Sequence, residues 1–442
     1  MTDPAVRLNL KPEAEDAAEA AGRRSIHFGL LGRTPPFSKR QRRVFLIAST
    51  AGFFDQYDRA LLSLALKQIQ AGLKIAESQL GAMLSVIRLG YLLALLMTPF
   101  ADVFGRRRLL LYTVMGYTVF TGLSAIAPGE RTFVLFQIIA RAFAGAEAAV
   151  AMVIVAEEVS AAHRGWAIGL LSAVSSVGYG LAAIAFAFVN VIPYGWRGLY
   201  AIALVPLVLI IPLRRVLPES TRFEKEKLQG LRPVKIWEPL GQLYSAYPRR
   251  LTMMLSIAFL GSMGGNAAGL LFPKFLQETH HWSPGNVSSL FIFGGAFGIM
   301  GSIVAGRLSD RYGRRVMGAA FLFLSPILTI WMYTAPGWSI VPAWILEVFF
   351  DTAAGMILNA YSAELFPTSY RSTASSALAV AGTTGGALGL FFEGVLYNLT
   401  GSNARAICYL TVFWMIAPAI MWFFPETSGR ELEEISPEAN AS

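Results

Sequence analysis

The sequence predicts an all-α membrane protein of twelve transmembrane helices in two pseudo-symmetric six-helix bundles. Three observations predict it. Only 15% of residues are charged against 55% hydrophobic, and the mean hydropathy is +0.51, whereas soluble domains carry about 25% charged residues. The apolar residues fall into runs of ~20, the length that crosses a ~30 Å hydrocarbon core. The charged motifs that close those runs recur at one constant offset.

The runs lie at about 44–66, 79–100, 109–127, 132–156, 166–189, 198–214, 251–276, 286–305, 316–334, 339–362, 372–397 and 404–424. Each is of helix length and none is broken by the turn clusters of ~10-residue barrel strands, which excludes a β-barrel. With the N-terminus in the cytoplasm, 28 of the 37 Lys and Arg residues fall in cytoplasmic segments, 6 in external loops and 3 in the spans. That asymmetry places both termini in the cytoplasm. It also accounts for the net charge of +9 without nucleic acid. The expected organisation is a disordered cytoplasmic tail over 1–43, a six-helix bundle over 44–216, a cytoplasmic linker over 217–250, a second bundle over 251–424 and a short cytoplasmic tail over 425–442. The tail has no long apolar run and does not read as a cleaved signal peptide.

The repeat rests on three motif pairs. Asp102-Val-Phe-Gly105-Arg106 follows span 2, and Asp310-Arg-Tyr-Gly313-Arg314 follows span 8, 208 positions later. Glu157 precedes Arg164 after span 4 as Glu364 precedes Arg371 after span 10, at an offset of 207. Pro218-Glu219 and Pro425-Glu426 close spans 6 and 12, again at 207. Duplicated halves follow.

The costly residues lie in the first half. Asp55 stands 12 residues past Arg43, ~18 Å up a helix, and Arg88 stands 14 residues before Asp102, ~21 Å. Both are therefore near the midplane, where a charge costs at least ~2.5 kcal/mol. Asp58, Arg59, Arg141 and Glu147 join them, a balanced set of three acids and three bases. A static ion-pair cluster is the plain alternative, but buried pairs stabilise weakly and ionisable residues in a span point to transport or proton relay. Asp55 has Arg59 at i+4, whereas the arginine adjacent to Asp58 points about 100° away. The spacing thus predicts an ionised Asp55, held by Arg59 or Arg88, and an Asp58 without a fixed partner that carries the proton. In the second half Glu347 and Asp351 share a face of span 10 at i and i+4, and Asn266 stands 208 residues after Asp58 as a neutral counterpart. Lys274 and Glu393 are expected on the external surface. Phe53, Phe54, Tyr57, Tyr91, Trp331, Trp344 and Tyr361 are candidates to line a site for a ring-bearing solute, with core or lipid-facing positions as the alternative.

The motifs "ADVFGRRR" (101–108) and "GRLSDRYGRR" (306–315) resemble the loop signatures of the major facilitator superfamily over about residues 44–430. "LPESTRFE" (217–224), "AELFPTSYR" (363–371) and "PETSG" (425–429) resemble its sugar-porter branch and organic-acid relatives. "FDQYD" (54–58) is similar to the paired-aspartate motif of proton-coupled aromatic-acid transporters. The span-seven glutamine motif of sugar porters is not legible in "GSMGGNAAGLLFPKF" (261–275). The resemblance implies that Asp102, Gly105, Arg106, Glu157 and Arg164, with Asp310, Gly313, Arg314, Glu364 and Arg371, form a cytoplasmic gating network that latches the outward-open state. Arg141 resembles the family's span-four arginine, although about one more helical turn before Glu157 is expected. The implied function is proton-coupled symport of a small organic solute, an organic or aromatic acid anion, by alternating access. Arg88 or Arg141 would attract the carboxylate and Asp55 or Asp58 would carry the proton. A sugar or polyol symporter or facilitator, and a non-transporting membrane sensor on the same fold, are the alternatives.

No Gly-rich phosphate loop followed by Lys-Ser/Thr exists, so ATP does not drive this protein. His27, His163, His280 and His281 offer no metal-ligand spacing, and the single Cys408 excludes an internal disulfide. No cofactor, metal or catalytic set is expected, and hence no enzyme. The expected partners are a small-molecule substrate, protons and the lipid bilayer, with the protein working as a monomer in a bacterial inner membrane.

Overall fold

The computed structural model describes residues 27–28, 32–33, 37–98, 105–159, 161–205, 237–367 and 369–428. A two-residue antiparallel pair, His27–Phe28 with Gly32–Arg33, precedes the helices. Span 1 (Lys39–Leu64) starts on a capping box: Ser38 Oγ accepts from the Gln41 N–H at 3.2 Å, and Gln41 Oε1 accepts from the Ser38 N–H at 3.0 Å. Each side chain satisfies an orphan donor at the helix start. A short helix, Leu66–Leu73, continues from it.

Span 2 (Glu77–Met97) is not uniform. Helix Glu77–Leu89 passes into a 3-10 turn at Gly90–Leu93 and returns to α-helix at Ala94–Met97. A Cβ at Gly90 would meet the Ile138 carbonyl of span 4 at 2.6 Å, so the tighter turn lies where two backbones touch. Mid-helix 3-10 turns mark hinges or strained sites, and this one carries Tyr91 and starts two residues after Arg88. Spans 3 (Arg106–Ala125), 4 (Glu130–Glu158) and 5 (Ala161–Ala187) follow. Span 6 opens at Trp196–Ile202 and is described only to residue 205. After a short helix, Trp237–Ala246, come spans 7 (Pro248–Glu278), 8 (Pro284–Tyr312), 9 (Arg314–Thr334), 10 (Ile340–Glu364) and 11 (Arg371–Thr400). Span 12 is Asn403–Trp414 continued by Ala417–Met421. Nine of the described helices are long and apolar enough to cross a bilayer by length and composition alone.

Packing repeats between the halves. Span 1 packs on 5 as 7 packs on 11, 2 on 4 as 8 on 10, and 3 on 4 as 9 on 10. Across the halves, 2 meets 11 and 5 meets 8, and a shift by six spans exchanges these two pairs. The glycines of the duplicated motif carry the same backbone. Gly105 has φ 94°, ψ 143° and Gly313 has φ 97°, ψ 141°. A side chain is strained there, which explains why both motifs hold glycine at the turn into the next helix.

The apolar core is shared unequally. One cluster joins both halves through Leu61, Leu66, Met83, Leu271, Leu276 and Leu390. Two others stay within one half each, around Val44, Leu110 and Ile154, and around Leu251, Leu322 and Ile357. The joint cluster lies toward the loop face opposite the one where span 1 begins and span 12 ends, here called the terminal face. The bundles are thus packed together at the opposite face and have separate cores near the terminal face.

Candidate functional site

Between the bundles lies a cavity of about 650 Å³ lined by Arg59, Arg88, Tyr91, Arg141, Asn266 and Thr383 among others. Its lining runs down to Thr98, Val153 and Ser376, so it extends toward the terminal face. Spans 1, 2 and 4 bring its charges together.

Arg141 and Asp58 form an ion pair at 2.8 Å, each side chain 2% exposed. This corrects the expectation that Asp58 lacks a fixed partner: the helical spacing counted partners along span 1 only, and the partner comes from span 4. Arg141 also donates to Gln137 Oε1 at 3.1 Å and to Tyr91 Oη at 3.4 Å, and Gln137 donates to Ser124 Oγ at 3.0 Å. Gln137 stands one turn before Arg141, the position where the family pattern expects the arginine. Its i−4 spacing was visible in the sequence, but its role was not. Asp55 pairs with Arg59 at 2.8 Å, as i,i+4 spacing predicts. The Arg59 and Arg141 guanidinium carbons lie 5.0 Å and 5.9 Å from the Tyr91 ring centroid, so the ring face is flanked by two cations.

Two members of the set have no such partners. Arg88 is half-buried on the cavity wall, its Nε has no hydrogen-bond partner, and no ion pair joins it to another described residue. The missing side chain at Gly386 of span 11 leaves room for its guanidinium. Glu147 is fully buried and neither carboxyl oxygen is hydrogen-bonded. An ionised carboxylate there has no hydrogen bond to offset its desolvation.

In the second half, Asn266 lines the central cavity and donates to the Ser262 carbonyl at 3.1 Å. Glu347 and Asp351 do not reach the arginines. They line a separate cavity of about 380 Å³, which shares only Asn266 with the first.

Of the expected gating network, Arg314 pairs with Glu364 at 2.8 Å and with Asp310 at 3.4 Å. Glu426, from the PETSG motif, accepts the backbone N–H groups of Arg314 at 2.7 Å and Arg315 at 3.1 Å, capping span 9. Arg371 donates to the Phe366 carbonyl at 3.3 Å. In the first half Arg106 is buried behind Gly105. Asp102 lies outside the described residues, as do the side chains of Glu157 and Arg164.

The opposite face is closed by polar contacts between the halves. Lys274 Nζ of span 7 reaches Glu77 Oε1 of span 2 at 2.6 Å and Glu278 Oε2 at 2.7 Å. Asn403 donates to Glu77 at 2.7 Å, Gln68 to Gln277 at 2.7 Å, and Ser63 to the Leu270 carbonyl at 2.9 Å. Lys274 is 1% and Glu393 2% exposed, so neither is on the external surface. Depth along a helix was readable from the sequence, but the covering second bundle was not. These hydrogen bonds and this ion pair between the halves all lie at this end.

The sequence profile of the Major Facilitator Superfamily matches residues 48–357 and 254–441. The probable 4-methylmuconolactone transporter of Cupriavidus pinatubonensis is 26% identical over 423 residues, covering 91% of this chain and 95% of that protein. The benzoate transport protein of Acinetobacter baylyi is 24% identical over 438 residues, covering 90% and 92%. The inward-open xylose transporter XylE from E. coli superposes with a TM-score of 0.71 at 19% identity, covering 89% of this chain and 99% of that one, a likeness of fold. Profile, fold and relatives agree: the chain belongs to the Major Facilitator Superfamily, and it is a multi-pass membrane transporter of small molecules, not an enzyme.

Proposed function

We propose that this transporter takes up a small organic acid anion, with aromatic acids among the candidates, together with protons by alternating access. It works as a monomer in a bacterial inner membrane with the terminal face in the cytoplasm, so the conformation described above is inward-open. The observation that carries this reading is Arg88. Arg59 and Arg141 each have an aspartate, while Arg88 presents a guanidinium to the cavity with no acidic partner among the described residues. With Glu147 held as the neutral acid, the site has one positive charge to spare, and an anion neutralises it.

Coupling follows from the Asp58–Arg141 pair. A proton on Asp58 removes the charge that holds Arg141, which then turns to the substrate carboxylate beside Arg88. Proton and anion therefore bind with positive linkage, each raising the affinity for the other. Gating at the terminal face falls to Asp102, Arg106, Glu157 and Arg164, and to Asp310, Arg314, Glu364 and Arg371. The relatives that carry a benzoate and a muconolactone name support the acid class.

The test is a binding and uptake screen of purified protein, comparing aromatic acids with neutral sugars. Acid binding should be lost in Arg88→Gln while the fold is kept. Sugar binding that survives Arg88→Gln would instead establish the sugar reading. Failure of any solute to accumulate in proteoliposomes would favour a sensor.

A further inference from the structure

The closed face holds more acid than its buried cation can match. Lys274 gives short contacts to Glu77 and Glu278, and a third carboxyl group, Glu393 of span 11, stands beside them. It is 2% exposed, and its buried Oε1 accepts no hydrogen bond among the described residues. The charges that act on it most are Glu77, which repels a second negative charge, and Lys274, already engaged twice. Tyr333 of span 9 also faces it, but the Tyr333 hydroxyl donates to the Ala268 carbonyl at 2.6 Å. Of the other charged groups at this end, Lys67 donates to the Gln277 carbonyl at 3.1 Å, and Arg405 of span 12 is exposed. His280, on the loop after span 7, packs its ring against Phe275 at 5.1 Å.

Backbone contact seals the group in. A Cβ at Gly81 of span 2 would stand 2.5 Å from the Leu390 carbonyl and 2.7 Å from the Gly394 nitrogen. Spans 2 and 11 therefore touch one residue from Glu393, and Glu77 lies one turn before Gly81 on the same helix face. Toward the centre, the cavity-lining Thr383 stands ten residues before Glu393, ~15 Å along span 11. Leu390 of the joint apolar core lies between them. Glu393 thus meets water when spans 2 and 11 part at this end, and from that side.

A carboxylate buried without a hydrogen bond or a cation of its own loses its hydration uncompensated, and such a group sheds its charge instead. The unpartnered oxygen is an acceptor, so the ligand that fits it is a proton. Glu77 does not need that proton, because Lys274, Asn403 and Gln70 all donate to it. We infer that Glu393 is a proton-binding site of the gate: it takes up a proton from the solution on that side as the face closes, and returns it there as the face opens. With the terminal face in the cytoplasm, that solution is the external one. This proton is distinct from the one at Asp58, because it goes back to the side it came from. External acid thus favours the closed face, and with it the inward-open conformer. Closing binds one proton, so the closed-to-open ratio rises as pH falls, by up to about tenfold per pH unit.

The experiment places spin labels at Lys74 and Ser283 of the full-length protein in a Cys408→Ala background. Their distance is read by pulsed electron resonance from about pH 8 to about pH 5, above the ordinary glutamate value of about 4.3. The series is run in wild type and in Lys274→Met, which populates the open form. The closed-to-open ratio should rise at least tenfold toward the acid end. Glu393→Gln should abolish the dependence and leave the closed form favoured at every pH. Glu393→Leu, of similar bulk, gives the same test if the amide fails to fold. Asp58→Asn and His280→Gln should each keep the dependence. A dependence that persists in Glu393→Gln overturns the inference, as does one lost in Asp58→Asn or His280→Gln. A ratio that does not move with pH in either protein, or a closed form favoured by alkali, overturns it as well.

Discussion

Replacing Lys274 by methionine should open the face that is closed in this conformation. The Lys274 side chain is 1% exposed, and its ammonium group reaches Glu77 of the other half at 2.6 Å and Glu278 of its own helix at 2.7 Å. Removing one partner of a fully buried pair costs ~3–5 kcal/mol. The cost is smaller here. Glu77 is 22% and Glu278 39% exposed, and Glu77 retains the donors of Asn403 at 2.7 Å and Gln70 at 2.5 Å. About 2 kcal/mol is the expected loss, somewhat below the buried-pair range. It falls on the closed form only, because water reaches these groups once the halves part. The ratio of closed to open conformers should drop roughly 30-fold. Spin labels at Lys74 and Ser283, in a Cys408→Ala background, report the separation by pulsed electron resonance. A longer distance should gain population in Lys274→Met, and Glu77→Gln should add little once Lys274 is gone. An unchanged distance distribution, or strictly additive effects of the two substitutions, would refute the latch.

Asp58→Asn should abolish uphill accumulation while leaving exchange of labelled solute partly intact. It should also cost about 3 kcal/mol, the low end for a broken buried pair, because Arg141 keeps Gln137. The double variant with Arg141→Gln should recover part of that loss in denaturant unfolding, and a proton gradient that still drives uptake in Asp58→Asn contradicts the coupling scheme. Glu147→Gln should change stability by less than about 1 kcal/mol, because an amide replaces a neutral acid of the same shape; a loss near the ~3–5 kcal/mol of a broken ion pair would mean that Glu147 is ionised. Gly313→Ala should destabilise by about 1–3 kcal/mol through its positive φ, read as a lowered melting temperature. Single cysteines at Ser283 and Gly230 should react with an impermeant maleimide from outside and inside respectively, and the reverse pattern would invert the orientation.

By itself the sequence determined what depends on composition and on spacing along one helix. The ~20-residue apolar runs require helices because hydrocarbon satisfies no backbone group. The 207–208 offset revealed the halves, and Gly105 with Gly313 now has its reason in matching dihedrals. The Asp55–Arg59 pair was readable because i and i+4 meet on any helix. Contacts between helices were decided by tertiary structure alone, since rotation and crossing determine which faces meet. Asp58 reads as unpaired along span 1 and is paired with Arg141 of span 4. Lys274 and Glu393 read as surface residues at the external end, but the opposing bundle covers that end. Glu347 and Asp351 share a face as their spacing requires, yet only the packing of spans 7, 10 and 12 places them in a chamber apart from the arginines. A helix specifies its own stripe of side chains, and the partner it meets is fixed by another part of the chain.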